Sequence, residues 1–226
     1  MDLIREDLNI RAKEINDYIE LLNFIEDTKS ITNDTGKINK IDVTLKSTLK
    51  GMVFLLLYNL TEATMRESIA HIYDKMDEKA VEFNQLKETI RKEILKRAKS
   101  EKIDIEQLLK NTTSSISKQL ARATFNKKNL FSGNIDHQEV TGQAKIYGFI
   151  TDADYKETKH GENLKTIKKK RNDLAHGNNS FAEIGKNYAT SDLNEFAKEV
   201  IAYLDKITTH IADYVNKQNY LNEQHD

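Results

Sequence analysis

One stretch of this 226-residue chain concentrates side chains suited to chemistry: Lys168-Lys169-Lys170-Arg171-Asn172-Asp173-Leu174-Ala175-His176-Gly177. A guanidinium stays charged at any working pH and grips a phosphate through two parallel hydrogen bonds. An imidazole titrates near neutrality and gives or takes a proton. Attack by an RNA 2′-OH on its neighbouring phosphate needs a proton moved and developing negative charge held. Arg171 and His176 are residue types that supply both without a metal. Between Leu164 and Arg171 there are five cations and no acid, an anion-attracting patch on a chain of net charge -1. Lys168, Lys169 and Lys170 then read either as RNA-backbone contacts or as a solvated helix face.

Spacing alone says little. At 3.6 residues per turn, positions 171 and 176 sit roughly 140° apart around an ideal helix, so the pair meets only if the helix ends near His176. Gly177 suits such a stop. Arg66-Glu67-Ser68-Ile69-Ala70-His71 repeats the same spacing. This second copy lies inside a long helical pattern beside Glu62 and Glu67, without a basic run, and is read as structural. The other histidines, at 71, 137, 160, 210 and 225, show no metal-ligand spacing, and no phosphate-cradling glycine loop is present. No metal or cofactor is expected.

The elements that must position these residues are helices. The chain has no Pro, no Cys, no Trp and only 8 Gly. Proline ends helices, so its absence favours long uninterrupted ones. The lack of Cys removes disulfides, thiolate metal sites and a Cys nucleophile. Apolar residues at Ile4, Leu8, Ala12, Ile15, Ile19, Leu22 and Ile25 predict an amphipathic helix over 3–27. The spacing predicts a loop over 28–39, then a central buried helix over 40–75 with a stripe through Leu45, Leu49, Met52, Leu56 and Leu60. Further helices are expected over 83–98, around Leu108 to Leu120, and over 163–175. The last long helix runs from Leu193 to Val215, capped by Ser191 or Asp192. The segment 126–161 holds four of the eight glycines and reads as a connector with short helices, such as 136–147. No period-2 strand pattern persists, so the expected fold is all-α, a single domain over 1–226.

Acidic residues at Asp2, Glu6 and Asp7 argue against a signal peptide. The most apolar run, Met52 to Tyr58, is far shorter than the roughly 20 residues a bilayer requires. A soluble cytoplasmic protein without a membrane role is expected. Phe181 and Tyr188 could stack on bases, but core anchoring is favoured, and Tyr203, Tyr214 and Tyr220 suit core or interface equally.

Arg171-Asn172-Asp173-Leu174-Ala175-His176-Gly177, followed by Ser180-Phe181-Ala182-Glu183, resembles the signature of the HEPN superfamily. These are small all-α domains, many of them metal-independent ribonucleases. The tail looks like that of HEPN-like nucleases in prokaryotic defence and toxin settings. The resemblance implies a helical bundle with long antiparallel helices and a short-helix insertion, working as a homodimer whose two motifs face one another. It implies RNA cleavage to a 2′,3′-cyclic phosphate, with His176 as acid/base, Arg171 as phosphate clamp and Asn172 orienting them. An added acid from another helix, seen in some members, would here be Glu62, which reads otherwise as a surface charge or salt-bridge partner. An antitoxin or defence-system partner is a further expectation. The alternatives are a non-catalytic HEPN-fold binding or assembly module acting through a partner, and a helical structural protein in which the Arg171/His176 pair is coincidental.

Overall fold

The computed structural model describes residues 2–100, 124–127, 130–131 and 133–222. The helix expected around Leu108 to Leu120 lies outside the described residues. Helix α1 spans Asp2–Glu26 and buries Leu8, Ala12, Ile15, Ile19, Leu22 and Ile25, the stripe its periodicity predicts. Helix α2 spans Val43–Glu78. It starts three residues later than expected because the Asp42 carboxylate caps it, accepting from Leu45 N at 2.7 Å. Tyr18 donates to Leu49 O at 2.8 Å and Lys46 to Glu26 O, so advancing along α1 means going back along α2, and the two run antiparallel.

The turn between them is not a plain loop. β1 (Ser30–Thr32) and β2 (Ile38–Lys40) pair antiparallel, with Ile31 opposite Asn39. Asn33 closes the ribbon: its side-chain oxygen accepts from Thr35 N and Lys37 N at 3.1 and 2.9 Å. Strands of three residues are too short to print a period-2 pattern.

The buried face of α2 also departs from expectation. Leu45 and Met52 are exposed, while Val53, Phe54, Leu57 and Tyr58 fill the core. An unbroken apolar run carries no periodicity from which to choose a face. The segment expected as one helix over 83–98 splits into a 3-10 turn (Phe83–Gln85) and α3 (Glu88–Ser100). Between the two, Lys87 N donates to Tyr220 O at 3.0 Å and Leu86 bridges Leu221. This long-range pairing takes the backbone out of the helix.

Helix α4 (His137–Tyr147) is capped by Asp136, and a single turn, α5 (Tyr155–Thr158), follows it. Helix α6 (Asn163–Ala175) has the bounds its sequence predicts. After it come the five-residue α7 (Phe181–Gly185) and the long α8 (Thr190–Asn216). Asp192 does not start α8; it reaches back from inside the first turn to accept from Ala189 N at 2.9 Å. Helix α8 buries Leu193, Val200, Leu204, Ile207, Ile211 and Val215. Tyr203, Tyr214 and Tyr220 are buried too, which assigns them to the core.

Helix α2 is the axis of the bundle, packing on α1, α6, α7 and α8. Its closest approach is to α7, where Gly51 and Gly185 bring two backbones together without an intervening side chain. Among the described residues, no helix is long and apolar enough to cross a membrane.

Candidate functional site

The motif lies on the last turns of α6. That helix ends in a Schellman motif: Asn178 N donates to Asp173 O at 2.9 Å and Gly177 N to Leu174 O at 3.1 Å. Gly177 holds the left-handed backbone there at φ +69°. His176 is therefore the capping residue, with its own N–H on Asn172 O at 3.0 Å and its side chain exposed. The stop predicted from Gly177 is present, and it releases His176 from the helix surface.

The loop beyond His176 is short and pinned. Ser180 Oγ accepts from Glu183 N at 3.2 Å, and the Glu183 carboxylate accepts from Ser180 N at 2.7 Å. The Ser-Phe-x-Glu tail is thus the capping box of α7, a signature readable in sequence. Tyr188 sits 4.9 Å, ring to ring, from Phe54 and anchors the core.

Arg171 is half-buried in a prepared seat. Its guanidinium carbon stands 4.3 Å from the centre of the Tyr58 ring. Nη1 donates to Gly133 O at 3.1 Å and to Asn172 Oδ1 at 2.9 Å, which uses both of its hydrogens. Nη2 and Nε have no hydrogen-bond partner among the described residues, leaving the side-on edge that suits two phosphate oxygens. Asn172 Nδ2 reaches Asn134 Oδ1 at 3.4 Å, so the amide links Arg171 to the segment before α4.

That segment, within the connector expected over 126–161, is laced across the site. Arg66 Nη2 donates to Leu130 O at 3.3 Å, Ile135 N to the Tyr58 hydroxyl at 3.3 Å, and Lys168 to the Asp136 carboxylate. The backbone is strained to do this. Phe131 holds φ +68°, a region bulky side chains avoid, with its ring buried. Gly133, at φ +72°, passes so close to Arg171 that a Cβ there would stand 3.0 Å from Nη2.

Lys168, read with Lys169 and Lys170 as an RNA-backbone contact or a solvated helix face, is held by Asp136, whose side chain is only 5% exposed. Burial alone would raise the pKa of Asp136. The bond from Lys168 and the N–H groups of Glu139 and Gln138 outweigh it and hold the pKa below the usual carboxylate value. Lys169 is exposed and Lys170 half-buried. Neither is paired with an acid among the described residues.

Glu62 is joined to Arg66 by an ion pair four residues along α2 and is 14% exposed. No hydrogen bond or ion pair joins it to Arg171 or His176; it lies beside the Tyr58 hydroxyl. Burial is the main cause that pushes the Tyr58 pKa up to about 12, with Glu62 adding to it. The Arg66 copy of the spacing is thus structural in its bonds, yet its guanidinium belongs to the same neighbourhood. Tyr58, Glu62 and Arg66 repeat every four residues, one row along α2. That row is the signal that could have found Tyr58; nothing in the sequence singled out Gly133. Among the described residues, no group of three or more His, Asp or Glu is placed to hold a metal ion.

The family model for MAE_28990-like HEPN proteins matches residues 1–220, and the chain belongs to that family. No curated protein and no solved structure matches significantly.

Proposed function

We propose that the protein is a metal-independent endoribonuclease that cleaves RNA by 2′-OH attack. The reading rests on one feature above all: Arg171 is fixed on its face and at Nη1 but presents its Nε–Nη2 edge, five residues before an exposed His176. The edge takes two non-bridging oxygens of a phosphodiester and holds the charge that develops on them. An imidazole takes the 2′-OH proton. The 2′-oxygen bonds to phosphorus, the bond to the 5′-oxygen breaks, and that oxygen leaves with a proton. The products are a 2′,3′-cyclic phosphate and a 5′-hydroxyl. Each chain carries one such histidine, and one base and one acid are needed. A homodimer with facing motifs supplies both, one His176 from each copy. Lys169 and Lys170 flank the site as RNA-backbone contacts. A toxin or defence effector restrained by a partner is the biological role that suits such an activity.

The test uses the purified full-length protein with mixed RNAs in EDTA, beside Arg171→Ala and His176→Ala. Cleavage by the wild type that is lost in both variants, with cyclic-phosphate ends on the fragments, supports the proposal. Absent cleavage, or equal cleavage by all three, refutes it and favours a HEPN-fold binding module.

A further inference from the structure

We infer that Tyr58 is a positioning residue for Arg171, holding the guanidinium by its ring face and keeping its phosphate-binding edge turned outward. The inference rests on the reading above for its functional meaning, but its geometry stands separately. A guanidinium has five N–H donors and two faces. Here one face lies over the Tyr58 ring, with the guanidinium carbon 4.3 Å from its centre, and Nη1 is consumed by Gly133 and Asn172. Three supports define a plane and an orientation. Without the ring, the hydrogen bonds at Nη1 still allow the plane to swing.

Tyrosine fits this role better than phenylalanine for a reason visible in its surroundings. The hydroxyl accepts from Ile135 N at 3.3 Å and lies beside Glu62, which is itself ion-paired to Arg66. The ring is thereby fixed at its far end and cannot turn away from Arg171. Electron-rich ring faces also attract cations more strongly, and a nearby carboxylate deepens that field. The Tyr58 ring is 1% exposed, so the contact is shielded from water. Glu62 therefore reaches Arg171 through Tyr58 rather than by a hydrogen bond or ion pair of its own.

Two variants test this, Tyr58→Phe and Tyr58→Met, with Arg171→Ala as the reference that assigns the signal. The first readout is the Arg171 side-chain Nε–H resonance, assigned by its loss in Arg171→Ala. Ring-current shielding from Tyr58 moves this signal upfield in the wild type. Tyr58→Phe keeps that shift and Tyr58→Met abolishes it. A signal unmoved in Tyr58→Met overturns the inference whether or not the protein cleaves RNA. The second readout is cleavage. Tyr58→Met lowers kcat about ten-fold while KM changes less than about two-fold, as expected when a cation–π support for the transition-state clamp is removed. Tyr58→Phe loses about three-fold or less. An unchanged kcat in Tyr58→Met, where the wild type cleaves RNA, overturns the positioning role. Absence of cleavage in the wild type refutes the nuclease reading alone, and the resonance still decides the inference.

Discussion

The Gly51–Gly185 contact offers the sharpest test of how the bundle holds its motif. A Cβ at Gly185 would stand 1.8 Å from Ser47 O and 2.7 Å from Gly51 N. All of these opposing atoms are helix backbone, so no flexible side chain is available to swing aside. Moving from 1.8 Å to the 3.4 Å of ordinary contact is a retreat of about 1.6 Å. Helix α7 is the part able to give way, because α2 is also locked on α1, α6 and α8. Overpacking of this kind costs about 1–3 kcal/mol. For a chain of this size that lowers the thermal midpoint by roughly 2–12 °C. Helix α7 is tied by its capping box to the loop that follows His176, so the displacement reaches the motif. Gly185→Ala is therefore expected to lower both Tm, read by circular dichroism, and kcat for RNA cleavage. Gly51→Ala, whose Cβ would stand 2.2 Å from Phe181 O, drives apart the same interface. The double variant should cost less than the sum of the singles, since the gap opens only once. A Gly185→Ala protein with an unchanged midpoint would refute the close approach. Lost stability with full activity would refute the link to His176.

Three further outcomes follow from particular contacts. The Asp136 pKa is depressed in the folded chain, so its stabilisation is complete above the unfolded value near 3.9 and disappears as pH falls through the lower folded value. Asp136→Ala should flatten the acid-unfolding profile below about pH 4 and cost about 1–2 kcal/mol at neutral pH from the lost cap alone; an acid limb identical to wild type would contradict it. Lys169→Ala with Lys170→Ala should reduce the salt slope of RNA binding by up to about 0.7 per charge. Lys168→Ala should chiefly lower stability instead, and a salt slope as sensitive to Lys168 as to its neighbours would count against the pairing with Asp136. Ser180→Ala removes the α7 cap and should lower the urea midpoint by an amount worth about 1 kcal/mol, whereas an unchanged midpoint would show that α7 is held by packing alone.

Much of the scaffold was legible before any coordinates. Helices α1, α6 and α8 follow their apolar spacing, and α6 has the predicted bounds because Gly177 ends it. Asp136 heads α4 as its residue type suggests. These features are settled by energetics that act over three or four residues: capping, apolar period and left-handed glycine. The motif is equally local, and Arg171, Asn172 and His176 can be picked out from sequence because they share one helix end.

The tertiary structure decided which partners those residues meet. Nothing local told the run Met52 to Tyr58 which face to bury, and the choice that exposes Met52 is the one that puts Tyr58 beneath Arg171. The basic run looked uniform until Asp136, 32 residues away, took Lys168 out of it. Glu62 was expected at the site as an acid, but an ion pair with Arg66 and the neighbouring Tyr58 hydroxyl give it a place one residue removed. The 85–87 backbone left its helix to pair with the end of the chain. Each of these outcomes depends on groups far apart in sequence and adjacent only after packing. Such contacts leave no periodicity to read, which is why the sequence alone determined the motif side chains and the tertiary structure determined how they are held.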